Sequence, residues 1–117
     1  MHSIQIAHLD LKPENIFIRN DILMIGDYGL SMTIKELNLY TGAGFGTPGY
    51  WAPEMLSKKI IKSTKADIWS FGCISHYLLF NERYWIASDQ EKMFYKLTYE
   101  EYVCPDKTYS GEDVDEN

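Results

Sequence analysis

Two short apolar runs, Ile16-Phe17-Ile18 and Ile22-Leu23-Met24-Ile25, stand either side of Arg19-Asn20-Asp21. β-branched and aromatic residues suit strands and Asn-Asp suits a tight turn, so this pattern predicts a β-hairpin. Its open end would carry Asn15 on one strand and Gly26-Asp27 on the other, with facing Cα atoms about 5 Å apart. Further on, Ser63-Thr64-Lys65-Ala66-Asp67 opens a helix, with Thr64 and Asp67 spaced as a variant capping box. Ile68, Trp69, Phe71, Cys73, Ile74, Tyr77, Leu78, Leu79 and Phe80 then run apolar nearly all round, the pattern of a buried helix. Ser88-Asp89-Gln90-Glu91 reads as a second capping box, leading a helix with Met93, Phe94 and Leu97 on one face. After Pro105 the periodicity stops and a polar stretch, Ser110 to Asn117, begins.

Between these elements lie two segments of another kind. His8-Leu9-Asp10-Leu11-Lys12-Pro13-Glu14-Asn15 gathers an acid, a cation and an amide within eight residues. Pro13 fixes its own φ and biases Lys12 away from helix, so this is a loop with its polar side chains held in set directions. Residues 30 to 47 are punctuated by Gly42, Gly44 and Gly46 and carry the hydroxyls of Ser31, Thr33, Tyr40, Thr41 and Thr47. A long glycine-rich connection between ordered blocks is where mobility and regulation concentrate.

Composition narrows the picture. A 117-residue chain that is 45% hydrophobic and 15% aromatic has the make-up of one packed domain and not of a disordered chain. Its formal charge of −6 includes Glu112, Asp113, Asp115 and Glu116, and removing these four leaves −2 for the rest. That acidity disfavours nucleic acid or an anionic membrane as partner. Cys73 and Cys104 form no metal or disulfide framework, the first ten residues lack a secretory pattern, and no apolar run approaches the roughly 20 residues of a membrane helix. The expectation is a soluble, intracellular, cytoplasmic chain; its oligomeric state is left open.

The loop from His8 to Asn15 resembles the catalytic loop of eukaryotic protein kinases, H-R-D-x-x-x-x-N, with the lysine and Pro-Glu-Asn ending of the serine/threonine branch. Asp27-Tyr28-Gly29 resembles the D-F-G motif, Gly46 to Glu54 (GTPGYWAPE) the end of the activation segment, and Asp67 to Gly72 (DIWSFG) the start of the central helix of the C-terminal lobe. Four blocks in order and spacing are far more specific than any one of them.

The resemblance implies an α+β, mainly α, partial protein-kinase-like fold. Residues 1–109 would form the C-terminal-lobe part of a catalytic domain and 110–117 an acidic disordered tail. It implies transfer of the ATP γ-phosphoryl group to protein Ser or Thr hydroxyls, with ATP and Mg²⁺ as cofactors and a protein as substrate. Asp10 would orient or deprotonate the acceptor hydroxyl, Lys12 would contact the γ-phosphate, and Asn15 and Asp27 would hold Mg²⁺. Thr47 matches the threonine that bonds the catalytic aspartate. His8, Glu54 and Asp67 match supporting positions, His8 as a packed residue beneath the D-F-G motif and Asp67 as a ligand of the catalytic-loop backbone. His2 and His76 have no partner at ligand spacing and are expected on the surface or in the core.

Departures from the pattern matter equally. Leu9 stands where the family has arginine, which removes the cation that receives a phosphorylated activation loop. The Gly-rich loop, the V-A-I-K lysine, the αC glutamate and the adenine hinge have no counterpart in the sequence, nor does the arginine that pairs with the family's glutamate at Glu54. Met1-His2-Ser3 resembles the last turn of the helix before the catalytic loop. The expectation is a chain without an N-terminal lobe, weak for ATP alone and with apolar surface left uncovered. Two rivals follow: a non-catalytic, pseudokinase-like docking module using the activation segment and the 88–97 helix, and a two-metal phosphoesterase on His8, Asp10 and Asp27. The second lacks the His-rich remainder such a site needs.

Overall fold

The computed structural model describes residues 1–39, 46–56 and 62–105. The acidic stretch 110–117 and four positions singled out above, Tyr40, Thr41, Gly42 and Gly44, lie outside the described residues.

The predicted hairpin forms. β2 (Ile16–Arg19) and β3 (Ile22–Ile25) pair antiparallel, with Ile16 opposite Ile25 and Arg19 opposite Ile22. Asn20 and Asp21 take φ of 51° and 61°, so the connection is a two-residue loop of the kind whose twist matches the strands. At the open end Gly26 N–H donates to Asn15 C=O at 2.9 Å, which ties the loop before β2 to Asp27 after β3. A second, smaller ladder was not legible in the pattern: β1 (Ile6–Ala7) pairs with β4 (Met32–Thr33), two residues each.

Straight after β4 comes α1 (Ile34–Leu39), in a stretch whose glycines and hydroxyls read as loop. Its start has a local cause. Thr33 Oγ1 accepts from Glu36 N–H at 3.1 Å, half of a capping box in Thr33-Ile34-Lys35-Glu36. The Asn38 amide spans to the start of the segment 62–105, donating to Lys62 C=O and accepting from Lys62 N–H.

α2 (Lys65–Phe80) is the longest element and departs from expectation twice. The capping box does not form: Thr64 makes no side-chain cap, and the Asp67 carboxylate is engaged elsewhere. Nor is the helix buried all round. Ala66, Asp67, Ser70, Ile74 and His76 face inward, while Ile68, Phe71 and Leu78 are 60%, 61% and 72% exposed. Nothing among the described residues covers that face, and the apolar outer face of the hairpin is bare in the same way. The expected uncovered apolar surface is present. No helix among the described residues is long and apolar enough to cross a membrane.

α3 (Gln90–Tyr99) starts one residue later than the capping box predicts. Asp89, not Ser88, is the cap, accepting from Lys92 N–H at 2.9 Å; its extended backbone lets the short carboxylate reach the free donors of the first turn. Met93 and Leu97 are buried, whereas Phe94 turns outward.

Two apolar clusters hold these elements. One contains Ala7, Leu9, Leu37, Ala52, Met55 and Ala66; the other contains Trp51, Trp85, Met93 and Leu97. Trp69 of α2 packs against both. Cys73 borders the second cluster, and burial pushes its thiol up from an ordinary 9.0 to about 11. Two pH units mean roughly a hundredfold less thiolate than a free thiol carries at pH 8. Iodoacetamide at pH 8 should therefore alkylate the exposed Cys104 first and leave Cys73 until denaturant is added, as read by peptide mass spectrometry. A thiol raised on folding contributes stability that is fully present below pH 9 and fades as pH climbs towards 11.

Candidate active site

The loop from His8 to Asn15 makes little secondary structure of its own, and its shape comes from a buried carboxylate far along the chain. Asp67, 2% exposed, accepts from His8 N–H at 2.7 Å and from Leu9 N–H at 2.9 Å. The same carboxylate bonds His2 Nε2 at 2.7 Å, a partner that sequence spacing alone did not reveal. Hydrogen bonds of this kind are short and roughly twice as strong as neutral ones, which suits a loop that must hold Leu9 at a φ of 72°.

His8 extends the scaffold. Its Nε2–H donates to Gly26 C=O at 2.8 Å, and its Nδ1 accepts from Asp10 N–H at 3.1 Å. With one ring nitrogen donating and the other accepting, the imidazole is a fixed strut between the loop and the hairpin end. Tyr28 lies beside it, ring centres 5.0 Å apart. His8 itself is buried, 1% exposed.

On this base three side chains converge on Asp10. Thr47 Oγ1–H donates to Asp10 Oδ1 at 3.0 Å, and Asn15 Nδ2–H reaches Asp10 Oδ2 at 3.2 Å and its carbonyl at 2.7 Å. Lys12 Nζ donates to Thr47 Oγ1 at 2.8 Å and stands 3.9 Å from Asp10 Oδ2. An acid, a cation, an amide and a hydroxyl drawn from positions 10 to 47 therefore form one connected network. Asp10 is oriented by donors on both oxygens, while Lys12 holds positive charge next to it.

Asp27 lies outside that network. It sits exposed at φ 55°, one residue past the hydrogen bond that closes the hairpin end. Asn15 uses its amide nitrogen on Asp10, so its oxygen branches the other way. One carboxylate and one amide oxygen on adjoining backbone make a hard-oxygen donor set. That fits Mg²⁺, which takes few protein ligands and keeps several waters.

Thr47 reaches Asp10 because Gly46 lets two backbones meet. Gly46 has φ 92°, and a Cβ there would stand 2.6 Å from Leu9 C=O and 3.2 Å from the Trp51 ring. Gly46→Ala is therefore expected to push Thr47 off Asp10 and to cost about 1–3 kcal/mol. Urea unfolding would register the cost, and loss of the Thr47 hydroxyl proton's NMR protection the displacement.

The remaining support positions behave differently. Glu54 sits in the short 3₁₀ turn Pro53–Leu56 and lines a cavity of about 770 Å³ with Trp69, His76, Arg83 and Tyr84; no ion pair reaches it among the described residues. His76 is 5% exposed and donates to or accepts from Tyr102 Oη at 2.8 Å, a core residue as expected. Ser70 was not singled out in the sequence, yet its hydroxyl, 2.6 Å from Tyr50 C=O, binds α2 to the stretch after Thr47.

The model of the protein kinase domain matches residues 1–114. CBL-interacting protein kinase 28 of Oryza sativa subsp. japonica is 40% identical over 114 residues, covering 89% of this chain and 25% of the relative. Serine/threonine-protein kinase cds1 of Schizosaccharomyces pombe is 38% identical over 98 residues, 79% of this chain and 21% of the relative. Serine/threonine-protein kinase plk-1 of Caenorhabditis elegans is 34% identical over 106 residues, 90% of this chain and 16% of the relative. The chain spans about a quarter or less of the length of these relatives.

Proposed function

The chain belongs to the protein kinase family, and from that premise we propose that it supplies the phosphoryl-transfer half of a serine/threonine protein kinase. We read residues 1–109 as the C-terminal-lobe part of the catalytic domain, acting on a protein substrate in the cytoplasm. The observation that carries this reading is the network around Asp10, in which Thr47 and Asn15 donate to one carboxylate and Lys12 donates to Thr47 while standing 3.9 Å from that carboxylate.

The chemistry follows from who holds what. Asp10 Oδ accepts the hydrogen bond of an incoming Ser or Thr hydroxyl and takes its proton as the new O–P bond forms and the bridging β–γ P–O bond breaks. Lys12 sits where it neutralises charge on the transferred group's oxygens. Thr47 fixes the Asp10 rotamer and narrows the space for the acceptor. Asp27 and the Asn15 amide oxygen would hold Mg²⁺, which when bound draws charge from the phosphates. The network also favours transfer over a purely non-catalytic docking module, which has no need to orient a carboxylate from both sides.

The test is labelled-phosphate transfer from Mg-ATP to a Ser/Thr peptide pool, run on this chain and on a fusion that places a kinase amino-terminal lobe before Met1. Label is expected with the fusion and not with its Asp27→Ala variant. A folded fusion that binds Mg-ATP yet labels nothing would defeat the reading and leave the docking module in its place.

A further inference from the structure

Phosphoryl transfer uses Asp10, Lys12, Asn15 and Asp27 and leaves the residue beside Asp10 without a task. Leu9 is 7% exposed, and it holds a left-handed backbone at φ 72°, rare for a bulky side chain. Such a conformation persists only where the surroundings over-determine it. Here they do so at three places. Its N–H is taken by Asp67 at 2.9 Å. Its carbonyl faces Gly46 so closely that no Cβ would fit between. Its side chain belongs to the buried cluster that also contains Leu37 of α1 and, after Thr47, Ala52 and Met55, with Met32 and Ile34 packed against that cluster.

We propose that Leu9 is the positioning residue for the two stretches that flank residues 40–45, namely β4 with α1 and the run from Gly46 to Met55. Both are seated on one apolar side chain next to Asp10, so Thr47 is delivered to the aspartate by burial. Apolar packing has no charge to satisfy, so this seating asks for no phosphate to hold it. The functional meaning, a site organised without a phosphorylation switch, rests on the kinase reading above. The mechanical claim does not.

Hydrogen–deuterium exchange of the unphosphorylated 117-residue chain, with its intact mass checked, separates the two. Peptides covering 32–39 and 46–52 should be protected in the wild type. Leu9→Ala and Leu9→Arg should each raise their exchange at least tenfold, and Leu9→Met should restore protection, while α3 stays within twofold throughout. Unprotected wild-type peptides, or equal exchange in Leu9→Ala and wild type, would overturn the proposal. If Leu9→Ala loosens α3 as well, Leu37→Ala decides: it should release 34–39 tenfold with α3 intact, and no release refutes the anchor. No nucleotide enters the experiment, so a failure of phosphoryl transfer and a failure of the anchor are distinguishable.

Discussion

Asp67→Ala is expected to lower the unfolding free energy by about 3–5 kcal/mol, the usual cost of removing one partner from a buried charged cluster. The carboxylate is 2% exposed and accepts from two backbone N–H groups and from His2. Alanine leaves both N–H groups buried without an acceptor, at about 1–3 kcal/mol each. Natural domains hold only about 5–15 kcal/mol in total, so the variant should be marginal. Urea unfolding followed by tryptophan fluorescence would read the loss. Asp67→Asn should recover part of it, because the amide keeps one acceptor oxygen, and an unchanged midpoint in the alanine variant would mean that the loop holds itself.

The second large effect is chemical. In the fused enzyme, Asp10→Asn should reduce kcat by about 10²–10⁴, the range that a positioned general base supplies. Asparagine matches aspartate in shape and can still accept from Thr47, so the fold should persist, with circular dichroism and thermal midpoint close to wild type. The KM for ATP should hold as well, since Asp27 and Asn15 carry the metal in the proposed mechanism. A kcat within threefold of wild type would remove Asp10 from the role of base. Together the two variants separate support from chemistry: Asp67 loses stability, and Asp10 loses rate with stability kept.

The residues of the candidate site were legible before any fold was known, because they sit in contiguous motifs. His8 to Asn15 and Asp27 to Gly29 name their residues by type and spacing, and the hairpin joining them has local turn chemistry at Asn20-Asp21. Local pattern failed where a distant partner decided the outcome. Cap spacing from Thr64 assigned Asp67 to its own helix end, whereas only the family resemblance assigned it to the catalytic-loop backbone; its carboxylate serves His8 and Leu9, since two buried N–H groups in a loop are a stronger demand than a frayed helix end. His2 was passed over for the same reason, its partner being 65 positions away. α1 had a signal in Thr33-Ile34-Lys35-Glu36 that the surrounding glycines masked. The outer face of α2 has the opposite lesson, for hydrophobicity all round a helix says what it can bury and not what is at hand to cover it.

The grip of Asp67 on Leu9 also has a history in time. The two residues are 58 positions apart, and closing a loop of that length costs on the order of 4 kcal/mol of chain entropy before any contact rewards it. During synthesis the Asp10 loop is made before the carboxylate that holds it, and it is expected to lack the acceptor for its two N–H groups until the start of α2 leaves the ribosome and docks. A nascent chain halted before residue 67 would hold Asp10, Lys12, Asn15, Asp27 and Thr47 and still have no site.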